Sequence, residues 1–189
     1  MTLTYITQSG PYAEFLKLYE PELARSWVNP SGQTLLHLAL SHGKPEQRVA
    51  ISNRLLDDGA DPSTLALDEG LTTLHALFGH NDHDFDAEAL VLERLLEGGA
   101  DINAVAGDRW GTPIQTLAAK GKFSDAQLAP FYDVIFARPD LDLLKPGKKG
   151  RADLDSARLF GPRRADLLVR MEAYLRDQGR EIPAPEREK

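Results

Sequence analysis

Apolar positions along the chain recur on a long beat. Leucine pairs stand at Leu55-Leu56 and Leu95-Leu96, 40 residues apart, and the same step reaches Ile135-Phe136 and then Leu175. The first two pairs are followed by Gly59-Ala60-Asp61 and Gly99-Ala100-Asp101, and Gly179 holds the glycine position again. A second phrase keeps the same time. It reads Thr34-Leu35-Leu36-His37, Thr72-Thr73-Leu74-His75, Thr112-Pro113-Ile114-Gln115 and a decayed Ala152-Asp153-Leu154-Asp155, at steps of 38, 40 and 40. Self-similarity at a fixed period marks a chain built from one recurring supersecondary unit.

Each unit predicts two helices and a loop. The first helix opens at the Thr phrase and is short, as over residues 34–41. The second closes at the leucine pair, where the following glycine accepts the left-handed conformation that ends a helix. Pro45 sits where a first helical residue would be. Ser124 with Gln127 makes a capping-box pattern. Pro162 is expected to open the last helix, whose Leu167, Leu168, Met171, Tyr174 and Leu175 fall on one apolar stripe. Polar loops containing Asp68-Glu69-Gly70, Gly107-Asp108-Arg109 and Pro146-Gly147-Lys148 join each leucine pair to the next Thr phrase. Residues 11–29 predict a helix that closes the N-terminal end, with Tyr12, Phe15, Leu16 and Tyr19 as its apolar side.

These phrases resemble the ankyrin repeat family, whose units carry a Thr-Pro-Leu-His start, a Leu-Leu end to the second helix and a following Gly-Ala-Asp. The resemblance covers roughly residues 32–182 and is most specific in the middle two copies. It implies an all-α, ankyrin-type helical-repeat solenoid with finger loops, forming a single domain over 1–182. Within that domain, 1–31 is the N-terminal capping region, and the repeats are 32–69, 70–110, 111–150 and 151–182. Residues 183–189 are expected to be a disordered tail. The period of 38–40 departs from the family's usual length of about 33. Gly59 to Thr72 and Gly99 to Thr112 are both 13 residues, so the excess falls between or within the two helices. The resemblance also implies that the Thr hydroxyls and the imidazoles of His37 and His75 bond backbone at the turn into each first helix. Asp61 and Asp101 are likewise expected to fix loops.

Composition narrows the picture further. The chain has 189 residues, 42% hydrophobic and 27% charged, which is ordinary globular usage. It has no cysteine, which excludes disulfides, thiolate metal sites and thiol catalysis. No apolar run is long enough to span a bilayer. The stretch from Met1 to Ile6 lacks a basic flank and an apolar core, so no secretory leader is expected and a cytoplasmic location is. The net charge of −7 argues against a nucleic-acid binder. Charge is uneven: residues 1–144 hold 10 Lys/Arg and 21 Asp/Glu, a net of −11, while residues 145–189 hold 12 and 8, a net of +4.

Three stretches invite chemistry. In His80-Asn81-Asp82-His83-Asp84-Phe85-Asp86 the aspartates alternate, and Glu93 stands where a calcium loop places its bidentate acid, but Ala87 replaces the required glycine. His80 and His83 are the alternative zinc donors. The plainer reading is a polar turn whose aspartates favour the next helix N-terminus. Lys145-Pro146-Gly147-Lys148-Lys149-Gly150-Arg151 is a basic finger without phosphate-loop spacing; it is either a solvated turn or a contact for an acidic partner surface, which Arg163 and Arg164 would extend. Trp110 beside Asp108-Arg109, and Trp27, are candidate partner contacts, since Trp and Arg dominate interface hot spots.

No catalytic motif appears, so no enzyme, cofactor or resident metal is expected. The reading is a monomeric module that binds a partner protein through a concave face and finger loops, without nucleic acid or membrane. Its candidate contacts are Asp68, Glu69, Asp108, Arg109, Trp110, Lys145, Lys148, Lys149 and Arg151. The alternative is a stoichiometric inhibitor or immunity-type protein that blocks a toxin or enzyme. The leucine pairs are expected to hold the stack. Leu95→Ala should therefore cost about 2–5 kcal/mol, read as a shift in the denaturation midpoint.

Overall fold

A computed structural model describes residues 2–67 and 69–185; the end of the expected tail, 186–189, lies outside them. Among the described residues the architecture is all-helical. Its only β pairing is three isolated antiparallel bridges, Val28 with Thr34, Leu65 with Thr72 and Ala106 with Gly111. No helix among the described residues is long and apolar enough to cross a membrane. The chain divides into two compact units, Met1–Asp101 and Ile102–Lys189.

The first unit holds α1 (Leu3–Ser9), α2 (Tyr12–Leu18), α3 (Leu23–Ser26), α4 (Leu35–Leu40), α5 (Pro45–Asp57), α6 (Thr73–Phe78) and α7 (Phe85–Glu97). Within it α4 packs on α5 and α6, and α5 packs on α7. Leu35, Leu36, Leu40, Ile51, Leu55, Leu74, Leu77, Leu92 and Leu95 are fully buried at these contacts. Leu55, Leu95 and Leu96 of the repeat-marking pairs are thus core residues, with Leu56 half-buried, and the burial of Leu95 is the premise of the Leu95→Ala cost.

The N-terminal region corrects the expectation of a single helix over 11–29. Three short helices occupy it, and α1 begins earlier, capped by the Thr2 side chain. Prolines divide them, with Pro11 standing at the N-cap of α2 and Pro21 lying between α2 and α3. Each removes a backbone donor that a continuous helix needs. Phe15 and Tyr19 are buried and stacked at 4.5 Å, but Leu16 faces solvent instead of the core. The Tyr19 hydroxyl donates to Asp58 at 2.8 Å.

The region between α4 and α5, and between α6 and α7, is held by a polar network. The Arg48 guanidinium is buried. It donates to the His42 carbonyl through Nε (3.0 Å) and Nη2 (2.7 Å), to the Asp82 carbonyl at 3.1 Å, and to Glu88 Oε1. The second Glu88 oxygen meets His83 Nδ1. Both side chains of the Arg48–Glu88 pair are almost fully inaccessible, at 1% and 0%. Such a pair tolerates burial where further hydrogen bonds satisfy its other groups, as the His42 and Asp82 carbonyls and His83 do here. His42 and His80 serve the same packing, their Nε2 atoms lying 3.0 Å from the Gly10 and Leu40 carbonyls.

The second unit holds α8 (Pro113–Ala118), α9 (Asp125–Phe136), α10 (Asp153–Phe160) and α11 (Ala165–Asp177). It also has single 3₁₀ turns at Lys148–Gly150 and Gly161–Arg164. α8 packs on α10 and α9 on α11. The expected start of the last helix moves. Pro162 lies in the 3₁₀ turn, and α11 begins at Ala165, because the buried Arg164 interrupts the chain there. Arg164 donates to the carbonyls of Ala118 (2.9 Å), Lys120 (2.6 Å) and Phe123 (3.0 Å). These acceptors follow from the end of α8, where a short helix leaves carbonyls unsatisfied. Of the expected stripe on α11, Leu167, Met171 and Leu175 are buried and Leu168 and Tyr174 half-buried.

Within each unit, polar bonds join residues about one period apart. Arg94 reaches Asn53 Oδ1 at 2.7 Å over 41 residues. The Asp166 amide donates to Asp125 at 2.9 Å over 41, and the Asp142 amide to Asn103 at 2.8 Å over 39.

The fourth Thr phrase has decayed for a visible reason. Ala152 is the N-cap of α10 and offers no side chain. Asp153 is buried and accepts from the Thr112 hydroxyl. Burial pushes its carboxyl up to about 7, with the Asp142 charge adding to the rise and the Thr112 bond and Lys145 opposing it.

Two outcomes are expected. Glu88→Ala strands a buried cation and should cost about 3–5 kcal/mol in chemical denaturation, much of it recovered in the Arg48→Met, Glu88→Leu double variant. Asp153 is protonated more readily folded than unfolded. Its contribution is therefore fully present below about pH 4 and lost as pH rises through about 7. The stability of the wild type minus that of Asp153→Asn should fall across that window and stay flat above it.

Candidate interaction surface

The finger turns grow out of the caps. Thr34, Thr72 and Thr112 are the N-caps of α4, α6 and α8, and each forms a capping box with the residue three places on. Their hydroxyls accept from the amides of His37 (3.5 Å), His75 (3.3 Å) and Gln115 (3.0 Å). In return His37 Nδ1 and His75 Nδ1 each accept from the capping Thr amide at 3.3 Å, so both imidazoles carry their proton on Nε2. Burial holds His37 below its ordinary range, and its Nε2 lies near the Leu71 and Thr64 carbonyls without reaching hydrogen-bond geometry. The Thr phrase is therefore a structural device at the foot of each finger.

Gln115 does more than the histidines in its place. Its Oε1 accepts from the Thr112 amide (3.2 Å) and from the Lys148 amide (2.7 Å). Its Nε2 donates to the Arg151 carbonyl (2.7 Å) and to Ser156 Oγ (3.1 Å). One side chain thereby fastens the basic finger to the start of α8. Glycine is required on both sides: a Cβ at Gly111 would sit 2.0 Å from Gln115 Oε1, and one at Gly147 would sit 2.5 Å from it. Gly111 also has φ +73°, and its missing Cβ would meet Lys148 Cβ at 2.6 Å. The 107–111 turn and the 145–151 loop are therefore in direct contact.

The sequence-predicted contacts separate into groups. Trp110, half-buried, bonds the Gly107 carbonyl through its amide at 2.9 Å, and the Arg109 guanidinium lies 5.0 Å over its ring. Asp108 and Arg109 are exposed on the same turn. Lys149 and Arg151 are exposed and Lys148 half-buried, with Lys149 in the left-handed region at φ 54°. Lys145 is engaged internally, its Nζ donating to the Asn103 carbonyl at 2.8 Å. Glu69 is exposed in a turn of the first unit, with φ 60°, and Asp68 lies outside the described residues. Trp27 is half-buried at the C-cap of α3. Arg164 is withdrawn from the basic patch, because its guanidinium is buried.

The acidic stretch after α6 does not assemble a metal site. α7 runs from Phe85 to Glu97, so most of the residues from Asp82 to Glu93 are helical and cannot wrap a cation as a calcium loop, as the plainer reading of a turn before a helix has it. Asp84 caps that helix by accepting from the Ala87 amide at 3.2 Å. His80 and His83 are turned to the Leu40 carbonyl and to Glu88. Among the described residues no three His, Asp or Glu side chains gather as a ligand set.

Sequence reasoning missed the apolar side chains that the fingers expose. Val28, Leu65, Leu67 and Val105 are between 43% and 76% accessible. Val28 and Leu65 are bridge residues and Val105 precedes one, and buried Ala66 and Ala106 alternate with Leu65, Leu67 and Val105. The signal was available in Leu65-Ala66-Leu67 and Val105-Ala106, which keep the 40-residue step. In the first unit the two fingers touch, the Leu67 amide donating to the Ser31 carbonyl at 2.8 Å.

No family model matches the chain, and no curated protein does. Among solved structures the chain is similar to a functionally unknown protein from Leptotrichia buccalis C-1013-b. The two share 24% identity over 96% of each chain, with a TM-score of 0.76. A likeness at that identity establishes a shared all-helical fold and nothing about activity.

Proposed function

We propose that this chain is a protein-interaction module of ankyrin type, non-enzymatic, which binds a partner protein through its finger turns and the concave face that such a stack presents. The observation that carries the reading is the repetition of one device. A Thr-capped short helix stands at the foot of a bridged turn, and the turn exposes an apolar side chain: Val28, Leu65 with Leu67, then Val105. A monomer gains nothing in stability from apolar groups held outward on fixed turns, whereas an interface uses them as anchors. Hydrogen bonds spaced by about one period support the ankyrin-type arrangement, because stacked repeats touch their neighbours at equivalent positions. A standard interface of roughly 800 Å² per partner fits a face of this kind.

The net charge of −7 favours a second reading, in which the module acts as a stoichiometric inhibitor masking a basic cleft. Both readings put the contact on the fingers and differ in consequence. Affinity capture should be compared between the wild type, a finger variant (Leu67→Ser with Trp110→Ala) and a helix-surface variant (Leu90→Ser with Val169→Ser). The finger variant should lose the captured protein and the helix-surface variant keep it; the reverse pattern contradicts the proposal. Titrating the captured partner then separates the two readings, since an inhibitor abolishes its activity at one equivalent and a scaffold does not.

A further inference from the structure

The cations of the second unit divide into two classes. Arg158, Arg170, Arg176 and Arg180 each pair with a carboxylate on the protein itself. Lys148, Lys149 and Arg151 make no ion pair through their side chains among the described residues. Yet they sit on one of the better-fixed loops. Its backbone is closed by the Gly147 amide to the Arg151 carbonyl (2.8 Å) and the Arg151 amide to the Lys148 carbonyl (3.1 Å), and it is clamped by Gln115. Three like charges on one loop repel one another, and no carboxylate among the described residues pairs with their side chains. Beside them stands Trp110 with Arg109 stacked on it. A guanidinium stacked on a ring keeps its N–H edge free for a carboxylate.

We propose that the 107–111 turn and the 145–151 loop together bind a short acidic segment of a protein partner. The carboxylates of that segment meet Lys148, Lys149, Arg151 and Arg109, and an apolar side chain between them rests on Trp110. This inference rests on the protein-interaction reading and names the chemistry of the partner at one place. A nucleic-acid backbone fits less well. The cations cover one loop rather than a track, Asp108 stands within the patch, and the whole chain carries −7. Because the loop is already ordered, binding costs little rearrangement.

The test uses the full chain and labelled twelve-residue peptides. One alternates Glu and Asp around a single Phe, one is a neutral Ser/Gly/Phe control, and a single-stranded oligodeoxynucleotide of equal charge is the third probe. Fluorescence anisotropy at low salt should show the acidic peptide binding more tightly than ~100 µM and the neutral one not binding. Lys148→Glu with Lys149→Glu should weaken the acidic peptide by on the order of tenfold or more, with the thermal midpoint unchanged. Trp110→Ala should weaken it as well, and Lys44→Glu, in the first unit, should not. The inference is overturned by no binding of the acidic peptide, by equal affinity in the charge-reversed variant, or by tighter binding of the oligonucleotide. A captured partner whose affinity ignores the reversal also removes it, while leaving the protein-interaction reading intact.

Discussion

A helix of six residues leaves more backbone groups unpaired than it pairs, because its first four amides and last four carbonyls have no partner inside it. α4, α6 and α8 are all of that length. They persist because something else satisfies their ends, and much of the protein is arranged around that need. The Thr capping box serves the N-termini. Buried arginines serve the other end: Arg48 takes the carbonyl just past α4, and Arg164 takes the last carbonyl of α8 and two beyond it. Apolar packing then supplies most of the stability, but only for helices whose polar ends no longer oppose burial.

The same caps build the fingers. A residue in extended conformation at the N-cap turns the chain out of the helix; Thr34 and Thr72 each close a small bridge with a strand-like residue before them, and Gly111, just before Thr112, closes the third. Where the third box position is Gln115 instead of His, its second polar arm reaches the following loop. A planar amide has two donors and two acceptor sites, and here all four are used. The hydrogen bonds that let the short helices exist thus also fix the turns beside them, which are the turns proposed to meet a partner.

Much of this was legible because it is local. Ser124 is a cap by residue type and spacing, the backbone bonding of Thr34 and Thr72 is what the resemblance implies, and Leu55 and Leu95 are core by their place in the repeat. What escaped is long-range. Arg48 and Glu88 look like surface charges one at a time, and only their folded proximity makes them a buried pair, although they do stand one 40-residue step apart. Arg164 was read as part of a basic patch because nothing nearby in sequence reveals the carbonyls that surround it. The aspartates after α6 invited a metal by their alternation, but the reading of a turn before a helix N-terminus is the one Asp84 fits as the cap of α7. The basic finger was visible as charge, whereas its rigidity depends on Gln115, more than thirty residues away.

The central claim is that the Thr caps, closed from the other side by the third residue, organise each helix and finger. The cap has a direct spectroscopic sign. In a ¹⁵N-histidine NMR spectrum near pH 7, His37 and His75 should both show an acceptor-type Nδ1 shift with the proton on Nε2, and His37 should gain its second proton only below the ordinary histidine range. An Nδ1-protonated tautomer at either ring, or a His37 that titrates like free imidazole, would contradict the account.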